Sequence, residues 1–98
     1  MRLTSGIFRN LVGTRWSIET TSSAIKYQRG SSPPSTLDYL NIKKISVENG
    51  LLSHGIKIQI NASPIEFMGM SPNDANLFVN KVIEYIELSV ASKIQMHK

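Results

Sequence analysis

SPNDANLFVNKVIEYIELSV, residues 71–90, is the stretch on which the fold turns. Ser71 carries a hydroxyl that can accept a backbone N–H, Pro72 suits the first helical position, and Asp74 complements the positive end of the helix dipole. Ala75, Phe78, Val79, Val82 and Ile86 then recur at intervals of three and four, which puts them on one apolar stripe. Asn76, Asn80, Lys81, Glu84 and Glu87 fall on the other side. The spacing predicts an amphipathic helix from Ser71 to about Val90 or Ser92, with Ile94 and Met96 placed to extend it.

Upstream of this helix the period changes from 3.6 to 2. Ile65 and Phe67 bracket Glu66, and Gly69 ends that short strand. Ile56, Ile58 and Ile60 alternate with Lys57 and Gln59, so one face is buried and the other wet. Gly55 marks a bulge, where an extra residue bends the strand. Asn49-Gly50 is the strongest hairpin signal, because both residues tolerate positive φ. A strand over 44–48 precedes it, after a tight step at 41–43 and an extended piece at 37–39. RGSSPPST, residues 29–36, is a loop: its prolines, glycine and serines suit no strand interior. Further back, Trp16, Ile18 and Thr20 alternate, as do Ile25 and Tyr27, which predicts a hairpin with strands near 15–20 and 24–28. Thr4 or Ser5 can cap a short helix running to about Val12, broken by Gly13.

These readings add up to one α+β domain over residues 1–98. A short N-terminal helix occupies 1–13, about six antiparallel strands 14–70, and the C-terminal helix 71–92. A strongly curved sheet or small barrel of this size has an apolar mouth, which the stripe through Phe78, Val82 and Ile86 closes. An open antiparallel sheet with the helix across one face is the alternative.

The 98 residues, 41% of them hydrophobic, suit a single globular core. There is no cysteine, which removes disulfide scaffolds, zinc ribbons and thiol catalysis. No apolar run approaches the roughly 20 residues that cross a bilayer. The N-terminus has Arg2, Arg9 and Arg15 and no acid up to Ile18, a composition shared with mitochondrial presequences; the plainer reading is a packed helix with Ile7, Phe8, Leu11 and Val12 inward. The net charge of +4 is uneven. Arg2, Arg9, Arg15, Lys26, Arg29, Lys43 and Lys44 face only Glu19 and Asp38 in residues 1–44, a balance of +5, and residues 45–98 carry −1. That asymmetry points to a polyanionic partner on the first half.

Catalysis needs a nucleophile or an acid–base group held beside a partner. His54 and His97 are too far apart in sequence for a metal-ligand spacing, and His97 adjoins the C-terminus. Glu84 and Glu87 solvate the helix; Glu66 faces outward. Neither a nucleophile elbow nor a phosphate-binding glycine loop occurs. The sequence therefore predicts no catalytic residue, metal or cofactor. Its binding signals are Lys26 and Arg29 flanking Tyr27, with Lys43-Lys44 beyond the proline loop. Basic groups around an aromatic can hold phosphate and stack a base. Leu51, Leu52 and Lys57 mark a second candidate surface: the 51–60 stretch is either an edge strand open to a peptide or a second copy, or, on the plainer reading, an internal strand with Leu51 and Leu52 in the core.

The order of elements resembles a pleckstrin-homology-like (PH-like) barrel. Residues 16–86 resemble the N-terminal domain that precedes the motor of bacterial DNA helicase IV, a superfamily 1 enzyme. The resemblance rests on AIKY at 24–27, LNIKKISV at 40–47 and above all NGLLSHGIKIQI at 49–60, followed by a turn, a strand and the closing helix. It implies a cytoplasmic, non-catalytic module docking to DNA or to a protein partner, including a helicase motor in the same chain. Members of that family continue into the motor; this chain has no Walker motif, so ATP hydrolysis by these residues is not expected. A free-standing adaptor binding a peptide or an anionic membrane surface is the alternative, and weak homodimerisation a further expectation. Membrane-binding PH domains cluster Lys and Arg on the first hairpin; here that loop is Thr21-Ser22-Ser23, so inositol phosphate recognition is not implied.

Overall fold

A computed structural model of the chain describes residues 1–4, 15–51, 53–61 and 63–96, with side-chain burial as far as Ala91. The strands are β1 (Arg2–Thr4), β2 (Trp16–Thr20), β3 (Ala24–Arg29), β4 (Ser35–Asp38), β5 (Lys44–Asn49), β6 (His54–Gln59) and β7 (Ile65–Met70), followed by α1 (Pro72–Met96). A 3-10 turn over Tyr39–Asn41 joins β4 to β5, its start capped by the Asp38 carboxylate, which accepts from Leu40 N–H at 2.9 Å.

The strands form two antiparallel sheets, ordered β1-β2-β3-β4 and β5-β6-β7. Among the described residues no ladder joins them, so the strands do not close into a barrel. A side chain bridges them instead: the Trp16 indole on β2 donates to the Met68 carbonyl on β7 at 2.9 Å. The described strands number seven where about six were expected, because Arg2–Thr4 pairs with β2, Leu3 opposite Ile18. The N-terminal helix was expected over 1–13; its first residues are this strand, and the rest of it lies outside the described residues.

The core follows the two periodicities. Trp16, Ile18, Ile25, Leu37, Ile56, Ile58 and Phe67 come from the strands, and Ala75, Phe78, Val79 and Val82 from α1. Phe78 and Val82 are fully buried, each contributing about 1.5–3 kcal/mol. Ile86 is only half-buried and packs on the margin of the core. The helix starts as the sequence predicts: Asp74 N–H donates to the Ser71 hydroxyl at 3.1 Å, and Ala75 N–H to the Ser71 carbonyl at 3.0 Å. It is described as far as Met96, through the extension that Ile94 and Met96 offer.

Two glycine readings change in detail. The Asn49-Gly50 hairpin exists, with Asn49 opposite His54, but neither residue has positive φ. Gly50 is needed for space: its N–H donates to the Ser53 carbonyl at 2.9 Å, and a Cβ there would lie 2.7 Å from that oxygen. The bulge lies where Gly55 predicts it, but the extra residue is on the neighbouring strand. Gly55 pairs with Met68 and His54 with Met70, which leaves Gly69 as the inserted residue, at φ 99°. Gly69 thus bends β7 one residue before its end.

Candidate interaction surfaces

The described residues hold no group of three or more His, Asp or Glu able to bind a metal ion. His54 sits at the mouth of the β5–β6 hairpin, its Nδ1 3.1 Å from the Asn49 side-chain oxygen. Because that oxygen only accepts, Nδ1 carries the proton in this contact. A buried hydroxyl pair, Thr20 with Tyr39, lies against the four-stranded sheet. Tyr39 donates to the Thr21 carbonyl and accepts from the Thr20 hydroxyl. Burial pushes the Tyr39 phenol above its ordinary value, against the opposing pull of these hydrogen bonds. The ring also stacks on Tyr85 of α1 at 5.9 Å between centroids. Both polar edges of Tyr39 are satisfied locally, so the arrangement anchors the 3-10 turn.

The four candidate cations, Lys26, Arg29, Lys43 and Lys44, do not share one face. Side chains alternate along β3. Ile25, Tyr27 and Arg29 are on the inner side, where the Arg29 guanidinium lies 5.8 Å from the Phe67 ring centre. Trp16 and Tyr27 meet the same ring edge-on, each at 5.7 Å. Tyr27 is thus a half-buried strand residue at the seam between the sheets. Lys26 is on the opposite side, exposed, with Glu19 across from it on β2 and Thr36 on β4. Lys43 and Lys44 belong to the other sheet, at the start of β5, where Lys43 N–H donates to the Gln59 carbonyl at 2.8 Å.

What the structure does gather is a different set. The β1–β2 register places Arg2 opposite Glu19, and β2–β3 places Glu19 opposite Lys26. Arg2, Glu19 and Lys26 therefore form one row across the outer face of the four-stranded sheet. Two adjoining depressions open on this face. The larger, about 370 Å³, is lined by Thr4, Arg15, Trp16, Ser17, Gln28 and Gly30. The smaller, about 160 Å³, is lined by Arg2, Ile18, Glu19, Lys26, Tyr27 and Pro34, and Ser17 lines both. The sequence named Arg2 and Arg15 only as members of an arginine-rich start. The missing signal was the register of a three-residue strand, too short for any periodicity.

Of the two readings of 51–60, the strand order excludes the edge and gives the internal strand. β6 lies between β5 and β7, so both its sides are already paired. Lys57 is half-buried between Ser46 and Glu66. Leu51 is fully exposed in the loop before the strand, and Leu52 lies outside the described residues. The apolar alternation that drew attention to this stretch is that of a central strand. On α1, Leu77, Ile83, Leu88 and Val90 are exposed, while Lys81 pairs with Glu84 at 3.8 Å and lies over the Tyr85 ring. No described helix is long and apolar enough to cross a membrane.

Compared with protein-family models, with curated proteins and with solved structures, the chain matches none.

Proposed function

We propose that this chain is a non-catalytic, cytoplasmic docking module of PH-like organisation, and that its outer four-stranded face receives the phosphate backbone of DNA. The PH-like part of the reading is supported by the division into four and three strands with one helix packed over both. The DNA part is carried by one observation: Arg2, Arg15 and Lys26 border two joined depressions whose lining holds a single carboxylate, Glu19. Phosphate contacts of this kind position a duplex or a single strand without reading its sequence. An accessory domain of a helicase motor would use such a surface to hold DNA near the motor.

Fluorescence anisotropy with labelled single- and double-stranded DNA at low salt tests this. Binding should be insensitive to sequence, with a salt slope of about −2 to −3 for two or three neutralised phosphates. Arg2→Glu with Lys26→Glu should abolish it, and Lys43→Glu with Lys44→Glu should leave it nearly unchanged. No binding at tens of micromolar protein would overturn the reading. It would favour a second one, docking to an apolar protein surface, which the exposed Leu77, Ile83, Leu88 and Val90 on α1 support.

A further inference from the structure

β5 is an edge strand, because the three-stranded sheet is ordered β5-β6-β7. The bond from Gly50 N–H to the Ser53 carbonyl sets the rhythm of its backbone. In an antiparallel ladder, bonded pairs recur at every second residue. Counting back from Gly50, residues 48, 46 and 44 direct their N–H and C=O groups to β6. Ile45, Val47 and Asn49 direct theirs to the open side. Buried or not, such a row is a template for another strand.

The other edges offer less. β1 has three residues and β4 has four. β7 is six residues long, but the Trp16 indole already occupies its Met68 carbonyl. β5 combines six residues with an edge that no described strand pairs, and its Ile45 and Val47 pack against the core margin.

We propose that a second copy of this chain pairs antiparallel along β5, about a two-fold axis at Ser46. In that register Ile45 of one copy lies opposite Val47 of the other, and both have outward backbone groups, so each such pair exchanges two hydrogen bonds. Lys44 of each copy lies opposite Glu48 of the second copy. The even residues share the outer face of the sheet, as the 3.5 Å contact from the Ser46 hydroxyl to Glu48 Oε1 indicates. Lys44 is exposed there and Glu48 half-exposed, so the two opposite charges meet on the wet side while Ile45 and Val47 meet on the apolar side. The neighbouring registers permitted by the backbone do worse: centred on Val47, Lys44 meets Gly50, Ser46 meets Glu48 and Ile45 meets Asn49; centred on Ile45, Lys44 meets Ser46, Val47 meets Lys43 and Glu48 meets Ile42. Only the Ser46-centred register matches charge with opposite charge and apolar with apolar, twice over by symmetry. The result is a continuous six-stranded sheet across the dimer. The polar outer face of β1–β3 takes no part, so this pairing is independent of the DNA reading.

Sedimentation velocity of the full chain from micromolar to millimolar concentration tests the pairing. The parent should show reversible, concentration-dependent dimers. Lys44→Glu alone, or Glu48→Lys alone, sets like charges opposite each other twice and should weaken dimerisation at least about fivefold. The double swap, Lys44→Glu with Glu48→Lys, should restore it. These side chains are on the wet face, and circular dichroism should show all three variants folded. A parent that stays monomeric at millimolar concentration overturns the proposal, whatever else the edge binds. A dimer whose strength the single reversals leave unchanged, or that the double swap fails to restore, overturns the Ser46-centred register.

Discussion

Against the four-stranded sheet a buried polar contact is made through a side chain: the Tyr39 hydroxyl sits between the Thr20 hydroxyl and the Thr21 carbonyl. In the three-stranded sheet a close approach is made by backbone, with Gly55 set against the Phe67 carbonyl and the Met68 Cα. The first sheet tolerates a polar group in its interior because donor and acceptor are both supplied. The second reaches its packing by omitting a side chain altogether. A hydrogen-bonded anchor can be weakened one bond at a time, whereas a steric contact fails at the first added methyl.

Both sheets share the stripe of α1, so the largest effect should come there. Val82 is fully buried. Val82→Asp places a charge with no partner in the common core and should cost on the order of 5 kcal/mol, a large part of the stability of a small domain. Thermal or urea unfolding should find the variant largely unfolded at 25 °C. A melting curve like the parent's would mean that α1 does not hold the two sheets together.

Next in size is the steric side of the contrast. A Cβ on Gly55 would lie 2.7 Å from the Met68 Cα and collide with the Phe67 carbonyl, which is backbone and cannot swing away. Gly55→Ala should therefore cost about 3 kcal/mol by forcing β6 and β7 apart. Urea denaturation measures it. A cost under about 1 kcal/mol would show that the bulge at Gly69 absorbs the methyl, and the contrast between the sheets would lose its steric half.

These two positions show what could be read from residues alone. The Val82 stripe was legible, because periodicity and burial are nearly the same statement for an amphipathic helix. So were the Ser71 cap and the β2–β3 and β5–β6 hairpins. Gly55 was legible as a bulge site, but its partner was not: which strand carries the extra residue depends on register, and Gly69 only declares itself through its φ. Whether 51–60 is an edge or an internal strand stayed open for a related reason. Alternation reports that one face is buried; it does not report how many neighbours a strand has. The grouping of basic residues was hidden in the same way. Lys26 and Arg29 are close in sequence and on opposite faces of β3, whereas Arg2 and Lys26 are far apart in sequence and in one row.

On the side-chain half of the contrast, Tyr39→Phe removes the donor to Thr21 and leaves the Thr20 hydroxyl without its acceptor. A loss of about 2 kcal/mol is expected. The pH dependence carries the same information. Burial raises the folded-state pKa of Tyr39, so the unfolded chain releases its phenolic proton first as pH climbs. The Tyr39 contribution is complete below the unfolded-state value of about 10 and is lost as pH rises from there through the folded-state value. Parent and Phe variant should thus converge in stability under alkaline conditions in parallel urea titrations. A constant difference up to pH 11, on the order of the neutral-pH value, would contradict the buried, neutral phenol.

The smallest effect should be at the start of α1. Ser71 supplies the oxygen that accepts Asp74 N–H at 3.1 Å, and its own carbonyl accepts Ala75 N–H. Only the first of these needs the side chain. Ser71→Ala should cost about 1 kcal/mol, because one of the helix's orphan N–H groups returns to water, and water remains available at this exposed end. Ser71→Asp keeps an acceptor and adds a charge near the positive end of the helix dipole, next to Asp74, whose like charge opposes the gain. It should therefore lie within about 0.5 kcal/mol of the parent. Urea unfolding of the three proteins separates the roles: equal losses for Ala and Asp would mean that Ser71 is required for its size or backbone angles, not for its hydroxyl. Because the Ser71 side chain is exposed and its hydroxyl bonds within the helix start, the Tyr39→Phe and Gly55→Ala costs should remain unchanged when combined with Ser71→Ala, to within about 0.5 kcal/mol. A larger coupling with Gly55→Ala would run through Met70, which joins β7 to Ser71, and a larger one with Tyr39→Phe through the Tyr39–Tyr85 stack; the comparison would say which of the two holds α1 in place.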